Sequence, residues 1–96
     1  MNIEIAGRRW FNKTCGNTYH TATVEIDGKP VFASGVEYGY GDHYTTTAFD
    51  WLEESGLIPE RNTSPSGSRE PIWVWSERND ITVHEYVLDV ARKKDL

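Results

Sequence analysis

A reaction centre in this chain would have to be built from three histidines, one cysteine and a run of carboxylates. Nucleophilic catalysis needs Cys15 or a serine beside a general base and an orienting acid. His20 lies five positions after Cys15, but no GxSxG or comparable frame surrounds either residue, so a surface thiol is expected at Cys15. A metal centre would draw on His20, His43 and His84. Their spacings match no HxxxH, HExxH or CxxC pattern, and neither a metal site nor a cofactor is expected. Asp50, Glu53 and Glu54 fall on or beside the solvated face of a predicted helix. Nothing there would perturb their ionisation as catalytic carboxylate pairs require. The residue types and spacings therefore point away from an enzyme.

They point instead to recognition. In Val36–Gly56 (VEYGYGDHYTTTAFDWLEESG) a strand-like run passes through Tyr38-Gly39-Tyr40-Gly41 into an amphipathic helix. The turn lacks the Lys and Ser/Thr of a phosphate loop, and Asp42 puts negative charge where phosphate would sit. The glycines permit a tight turn, with Tyr38 and Tyr44 expected in the core. Tyr40 and His43 at the helix entrance are the candidate partner anchors, because tyrosine joins an apolar body to a polar tip. Asp50, Glu53 and Glu54 would complement a basic partner surface. A second candidate face combines Arg8, Arg9 and Trp10 with Trp73 and Trp75, an aromatic and cationic set suited to stacking bases. The formal net charge of -5 opposes broad phosphate binding.

These residues must be positioned by a small number of elements. Ile3–Ala6 begins a strand that continues through Trp10 and Phe11, with a bulge expected at Gly7; Asn12–Asn17 reads as a turn. Thr18–Asp27 alternates, with His20, Ala22, Val24 and Ile26 on one face and Tyr19, Thr21, Thr23 and Glu25 on the other. Asp27-Gly28 signals a type I′ hairpin, and Pro30–Val36 is the returning strand. Asp42 is placed to cap a helix over His43–Ser55 whose stripe is Tyr44, Ala48, Trp51, Leu52 and Ser55, widened by Phe49, and which stops at Gly56. Glu60–Glu70 contains no apolar residue and reads as a mobile loop. Pro71–Arg78 reads as a strand apolar on both faces, with Trp73 and Trp75 on one of them. Thr82 and Glu85 fit a capping box for a last helix, Val83 to about Lys94, with a buried stripe of Val83, Val87, Val90 and Ala91. The expected fold is a single α+β domain over residues 1–96, in the order β-β-β-α-β-α. It would be an antiparallel sheet of three to four strands with two helices on one face.

Four Trp, five Tyr and three Phe offset a modest hydrophobic content of 38%, so a packed core is expected in place of disorder. One cysteine forms no internal disulfide, and the residues after Met1 carry charges where a signal peptide would be apolar. No apolar run spans a membrane, and the two Asn-x-Ser/Thr sequons, at Asn12 and Asn62, read as chance matches. A soluble, cytoplasmic protein is expected. An unpaired edge strand would support a homodimer.

Gly16-Asn17-Thr18-Tyr19-His20, Asp27-Gly28, Tyr38–Tyr44 (YGYGDHY) and Thr47–Leu52 (TAFDWL) together resemble a group of small uncharacterised bacteriophage and prophage proteins. The resemblance covers roughly the first 60 residues and carries no catalytic residue with it. It implies a mobile-element origin and action inside a bacterial cytoplasm. With the aromatic-rich composition it leads to an expectation of a non-enzymatic accessory protein. Such a protein would bind and inhibit or modulate a bacterial protein, in the manner of a counter-defence factor. The alternative expectation is a nucleic-acid-binding accessory domain.

Overall fold

A computed structural model describes all residues from Met1 to Leu96. Strand β1 (Asn2–Asn12) turns into β2 (Asn17–Ile26), which turns into β3 (Lys29–Ala33). A two-residue strand, β4 (Glu37–Tyr38), precedes helix α1 (His43–Ser55). A short helix, α2 (Ile72–Arg78), precedes β5 (Thr82–Val90), and a 3-10 turn follows at Lys93–Asp95. The strands form one mixed sheet in the order β3-β2-β1-β5, with β4 also paired to β2. The fold is α+β, as expected. Asp27 at φ 49° and Gly28 at φ 82° make the expected type I′ turn.

Strand β1 is the axis of the sheet. It pairs antiparallel with β2 from Ile3–Ile26 to Asn12–Asn17, and parallel with β5 from Asn2–Thr82 to Trp10–Val90. The parallel pairing is possible because the chain crosses back through both helices before β5. Period-2 alternation sends Ile3, Ile5 and Gly7 of β1, with His20, Ala22 and Val24 of β2, to one face, where all six are buried. Helix α1 covers that face with Tyr44, Ala48, Phe49 and Leu52, and α2 adds Trp75. The Trp75 indole N–H donates to the Pro59 carbonyl at 2.8 Å, and its ring meets Phe49 edge-on at 5.5 Å. Satisfying that N–H is what lets so large a side chain sit wholly inside. Phe32 of β3 stacks on Trp51 at 4.6 Å. The result is two layers in a slab of 42 × 35 × 19 Å.

Two elements correct the sequence reading, and the observed order is β-β-β-β-α-α-β. Pro71–Arg78, expected as a strand, is the helix α2. A short apolar run fits either period; here Ile72 and Trp75, three apart, turn to the core. Trp73 and Trp75 therefore do not share a face: Trp75 is buried and Trp73 is 67% exposed. Residues 83–94, expected as a helix, are largely strand β5. The Thr82/Glu85 capping box does not form, because the Thr82 amide donates to the Met1 carbonyl in the β1–β5 ladder. Val83, Val87 and Val90 are β-branched and suit a strand better than a helix. The sheet is accordingly mixed, with only its β1, β2, β3 and β4 pairings antiparallel. Gly7 lies in unbroken register with Ala22, without the expected bulge.

Gly7 is fixed by steric contact. A Cβ there would lie 2.5 Å from both Cδ2 and Cγ of Tyr44. In an ordinary strand position alanine would be favoured over glycine. Here Gly7→Ala is expected to destabilise the fold by about 1–3 kcal/mol through overpacking. Urea denaturation measures this directly, and an unchanged midpoint would contradict the seating of Tyr44 on Gly7.

Candidate functional site

The helix entrance is built by β2, β4 and the start of α1. Pairing of His20 with Glu37 and of Tyr19 with Tyr38 carries the chain to Gly39. Gly39 is buried at φ 152°, where a Cβ would collide with the His43 ring at 2.5 Å, so only glycine fits. Its amide donates to Thr18 O at 3.0 Å. Its carbonyl lies 3.2 Å from His20 Nδ1, and His20 Nε2 lies 2.7 Å from Thr47 Oγ1. A carbonyl only accepts, so Nδ1 carries the proton and Nε2 accepts from the Thr47 hydroxyl. A neutral imidazole thus satisfies both its nitrogens inside the protein. Burial pushes the His20 pKa below the usual histidine value, and His43, with its ring 5.4 Å away, pushes the same way. The Gly39 carbonyl and Glu37 oppose them.

A second clamp fixes the same turn from the other side. Arg9 donates to Asp89 through Nε at 2.7 Å and Nη2 at 3.1 Å, and through Nη1 to Gly41 O at 2.8 Å. One guanidinium thereby joins β1, β5 and the glycine turn. The bidentate bond holds the Asp89 carboxyl below its ordinary range.

The sequence-derived partner residues occupy two places. Tyr40 and His43 stand together at the helix entrance, Tyr40 at 74% exposure. Asp50, Glu53 and Glu54 lie at the far end of α1, on the order of 15 Å away at 1.5 Å per residue. Asp50 and Glu53 both bind arginines: Arg69 reaches Asp50 at 3.3 Å, and Arg61 lies 2.6 Å from Glu53. Arg61 and Arg69 belong to the Glu60–Glu70 segment, expected as a loop, which forms a bridge between Thr63 and Arg69 and is further tied by Glu70 to Arg78 at 2.8 Å.

The alternative nucleic-acid set is divided as well. Arg8 and Trp10 lie on the sheet face away from the helices, Arg9 faces the helical side in its clamp, and Trp73 and Trp75 belong to α2. His20 and His43 adjoin, whereas His84 alternates onto the opposite face of the sheet and Cys15 is exposed in the β1–β2 turn. No group of three or more His, Cys, Asp or Glu side chains converges.

The feature that sequence reading missed is the uncovered face of the sheet. Register places Trp10, Tyr19 and Tyr38 side by side on it, and Ala6 beside Tyr86, with Arg8 beside Leu88. Trp10 stacks on Tyr19 at 5.9 Å and 28°, and Tyr19 meets Tyr38 edge-on at 5.8 Å. Tyr38, Tyr86 and Leu88 are 60%, 55% and 60% exposed. Two shallow hollows cross this face. One, of about 480 Å³, runs from Ala33 past Thr23 and Ala6 to Tyr86 and Leu88, with Leu96 over it. The other, of about 420 Å³, lies between Trp10, Tyr19, Tyr38 and Lys93. Half of this face was within reach of the sequence, since any hairpin pairing Asn12 with Asn17 brings Trp10 opposite Tyr19. The rest was hidden by reading β5 as a helix.

Charge divides along the same boundary. Residues 39–80, the helical layer, hold eight carboxylates against three arginines, which is the whole of the net charge of -5. The sheet strands and their turns are balanced.

The His20 geometry has a pH consequence. The unfolded chain protonates His20 near the ordinary value of about 6.5, whereas the folded chain resists protonation. Between those two values the unfolded state binds more protons, so stability falls as pH drops below about 6.5. Urea midpoints measured from pH 7.5 down to pH 5 should decline in the wild type, and His20→Gln should flatten that decline. A wild-type midpoint constant across the window would contradict the buried neutral imidazole.

Comparison of the chain with protein-family models, with curated proteins and with solved structures gives no match.

Proposed function

We propose that this is a non-enzymatic accessory protein of bacteriophage type, acting in the bacterial cytoplasm, that binds a bacterial protein against the uncovered face of its sheet and blocks that protein's surface. The observation that carries the reading is the aromatic and apolar set Trp10, Tyr19, Tyr38, Tyr86 and Leu88 on a face that neither helix covers, with only the C-terminal Lys93–Leu96 segment against part of it. A sheet buries one face against its own helices; a second face bearing large apolar side chains calls for another cover. Trp and Tyr suit that role because they carry much contact area with few rotatable bonds, so little freedom is lost on binding. The mutual packing of Trp10, Tyr19 and Tyr38 restricts them further before a partner arrives.

The formal net charge of -5 disfavours a nucleic acid as the partner, because the molecule as a whole repels phosphate at long range. Tyr40 and His43 stand at the end of the slab near Tyr38 and would extend the contact around the sheet margin. A counter-defence inhibitor is the biological form that fits both the occluding mechanism and the phage resemblance.

One observation favours a second reading. Arg8 and Lys93 flank the aromatic stack, an arrangement that would also suit single-stranded nucleic acid. Affinity capture from bacterial lysate with wild type, Tyr38→Ala/Leu88→Asp and Tyr40→Ala/His43→Ala separates these readings. The sheet-face variant should lose the captured protein, with affinity reduced about 30-fold or more if either site is a hot spot of about 2 kcal/mol. The helix-entrance variant should lose less. Capture that survives the sheet-face substitutions, or oligonucleotide binding that weakens steeply with added salt, would overturn the proposal.

A further inference from the structure

The two edges of the sheet are treated differently. The β3 edge carries the features that discourage pairing: five residues only, Lys29 and Pro30 at its start, and a register shift opposite Val24/Glu25. The β5 edge carries none of them. It is nine residues long, in unbroken register with β1, free of Pro and Gly, and exposes Tyr86, Val87 and Leu88. Such an edge is a template for another strand.

Its outward groups are identified by one hydrogen bond. The Thr82 amide donates to Met1 O at 3.0 Å, so Thr82, His84, Tyr86, Leu88 and Val90 turn their amides toward β1. Val83, Glu85, Val87 and Asp89 alternate outward, and no other segment of the chain hydrogen-bonds to their backbone.

We propose that β5 pairs antiparallel with β5 of a second copy of this chain, with Tyr86 opposite Tyr86 on the two-fold axis. The choice of occupant follows from the strand's complementarity to itself. In this register Val83 meets Asp89 and Glu85 meets Val87, so all four outward residues of each strand are paired, forming about eight hydrogen bonds. No like charges stand directly opposite. Moving the axis to Val87 sets Glu85 against Asp89 twice, and moving it to Glu85 sets that carboxylate against itself; both are disfavoured. On the uncovered face, His84 meets Leu88 and the two tyrosines meet at the close, non-hydrogen-bonded spacing of about 4.5 Å between Cα atoms. The two sheets become one, and their bare faces one continuous surface. Four strands about 4.8 Å apart and about 30 Å long give each copy a footprint on the order of 600 Å². That is below the roughly 800 Å² per side of a standard interface, which two joined copies exceed. The pairing stands on the strand edge and does not depend on the proposed binding function.

Sedimentation equilibrium over a concentration series, with amide hydrogen exchange on the same samples, tests the pairing. Wild type should show a dimer mass, with the Val83, Glu85, Val87 and Asp89 amides exchanging more slowly as concentration rises. Val87→Pro removes an amide that β1 does not use, and should raise the dimer dissociation constant about tenfold or more while the monomer stays folded. Val87→Lys places a lysine opposite Glu85 of the second copy and should keep or tighten the dimer; with the axis at Val87 it would set lysine against lysine. A wild type that is monomeric up to about 1 mM, or a dimer that ignores Val87→Pro, overturns the proposal. Loss of the dimer in Val87→Lys overturns the register. Should Val87→Pro fail to fold, concentration-independent exchange of the four wild-type amides overturns it alone.

Discussion

Strand β1 is hydrogen-bonded along both edges for nearly its whole length, and the rest of the molecule takes its place from that strand's alternation. Ile3, Ile5 and Gly7 turn one way and meet helix α1; Glu4, Ala6, Arg8 and Trp10 turn the other way, where the chain brings only its C-terminal segment, Arg8 donating to Asp95 O at 3.2 Å. A slip of one residue would exchange the two sets and bury Glu4 and Arg8 in place of isoleucines. The Gly7–Tyr44 contact makes that slip more costly still, since α1 approaches the sheet only where a side chain is missing. Arg9, next along the strand, then fixes the glycine turn and β5 at once.

The first half of the fold could be read because its local signals agree. A hairpin turn of Asp27-Gly28, alternating residues before it and a helical stripe over His43–Ser55 each have one interpretation, and the structure contains all three. The second half could not, because its signals conflict. Ile72–Arg78 is too short for periodicity to separate helix from strand, and Trp75 decides by finding the Pro59 carbonyl, a contact invisible in sequence. In Thr82–Val90 a capping-box pattern competes with β-branched content, and the long-range ladder to β1 wins. Misreading these elements also misplaced the candidate site. Tyr40 and His43 are exposed as expected, but the carboxylates Asp50 and Glu53 are engaged by arginines from a segment that looked featureless.

Two treatments of polar groups distinguish the inside of the slab from its rim. His20 lies between layers with both nitrogens bonded, so its burial costs little while it stays neutral. Arg9 and Asp89, nearer solvent, keep their charges and use them for position. The bare sheet face has neither arrangement. It sets the aromatic rings of Trp10, Tyr19 and Tyr38 beside threonines, alanine and the charged Glu4, Arg8 and Glu25, the mixture of apolar anchors and polar surroundings found at contact surfaces.

The confinement of net charge to the helical layer has an orienting effect. With a balanced sheet on one side and an excess of carboxylates on the other, separated across a 19 Å thickness, the molecule carries a permanent electric moment normal to its broad faces. Near a cationic polymer or resin it would turn helices inward and settle with its aromatic side directed at the solvent, presented for capture.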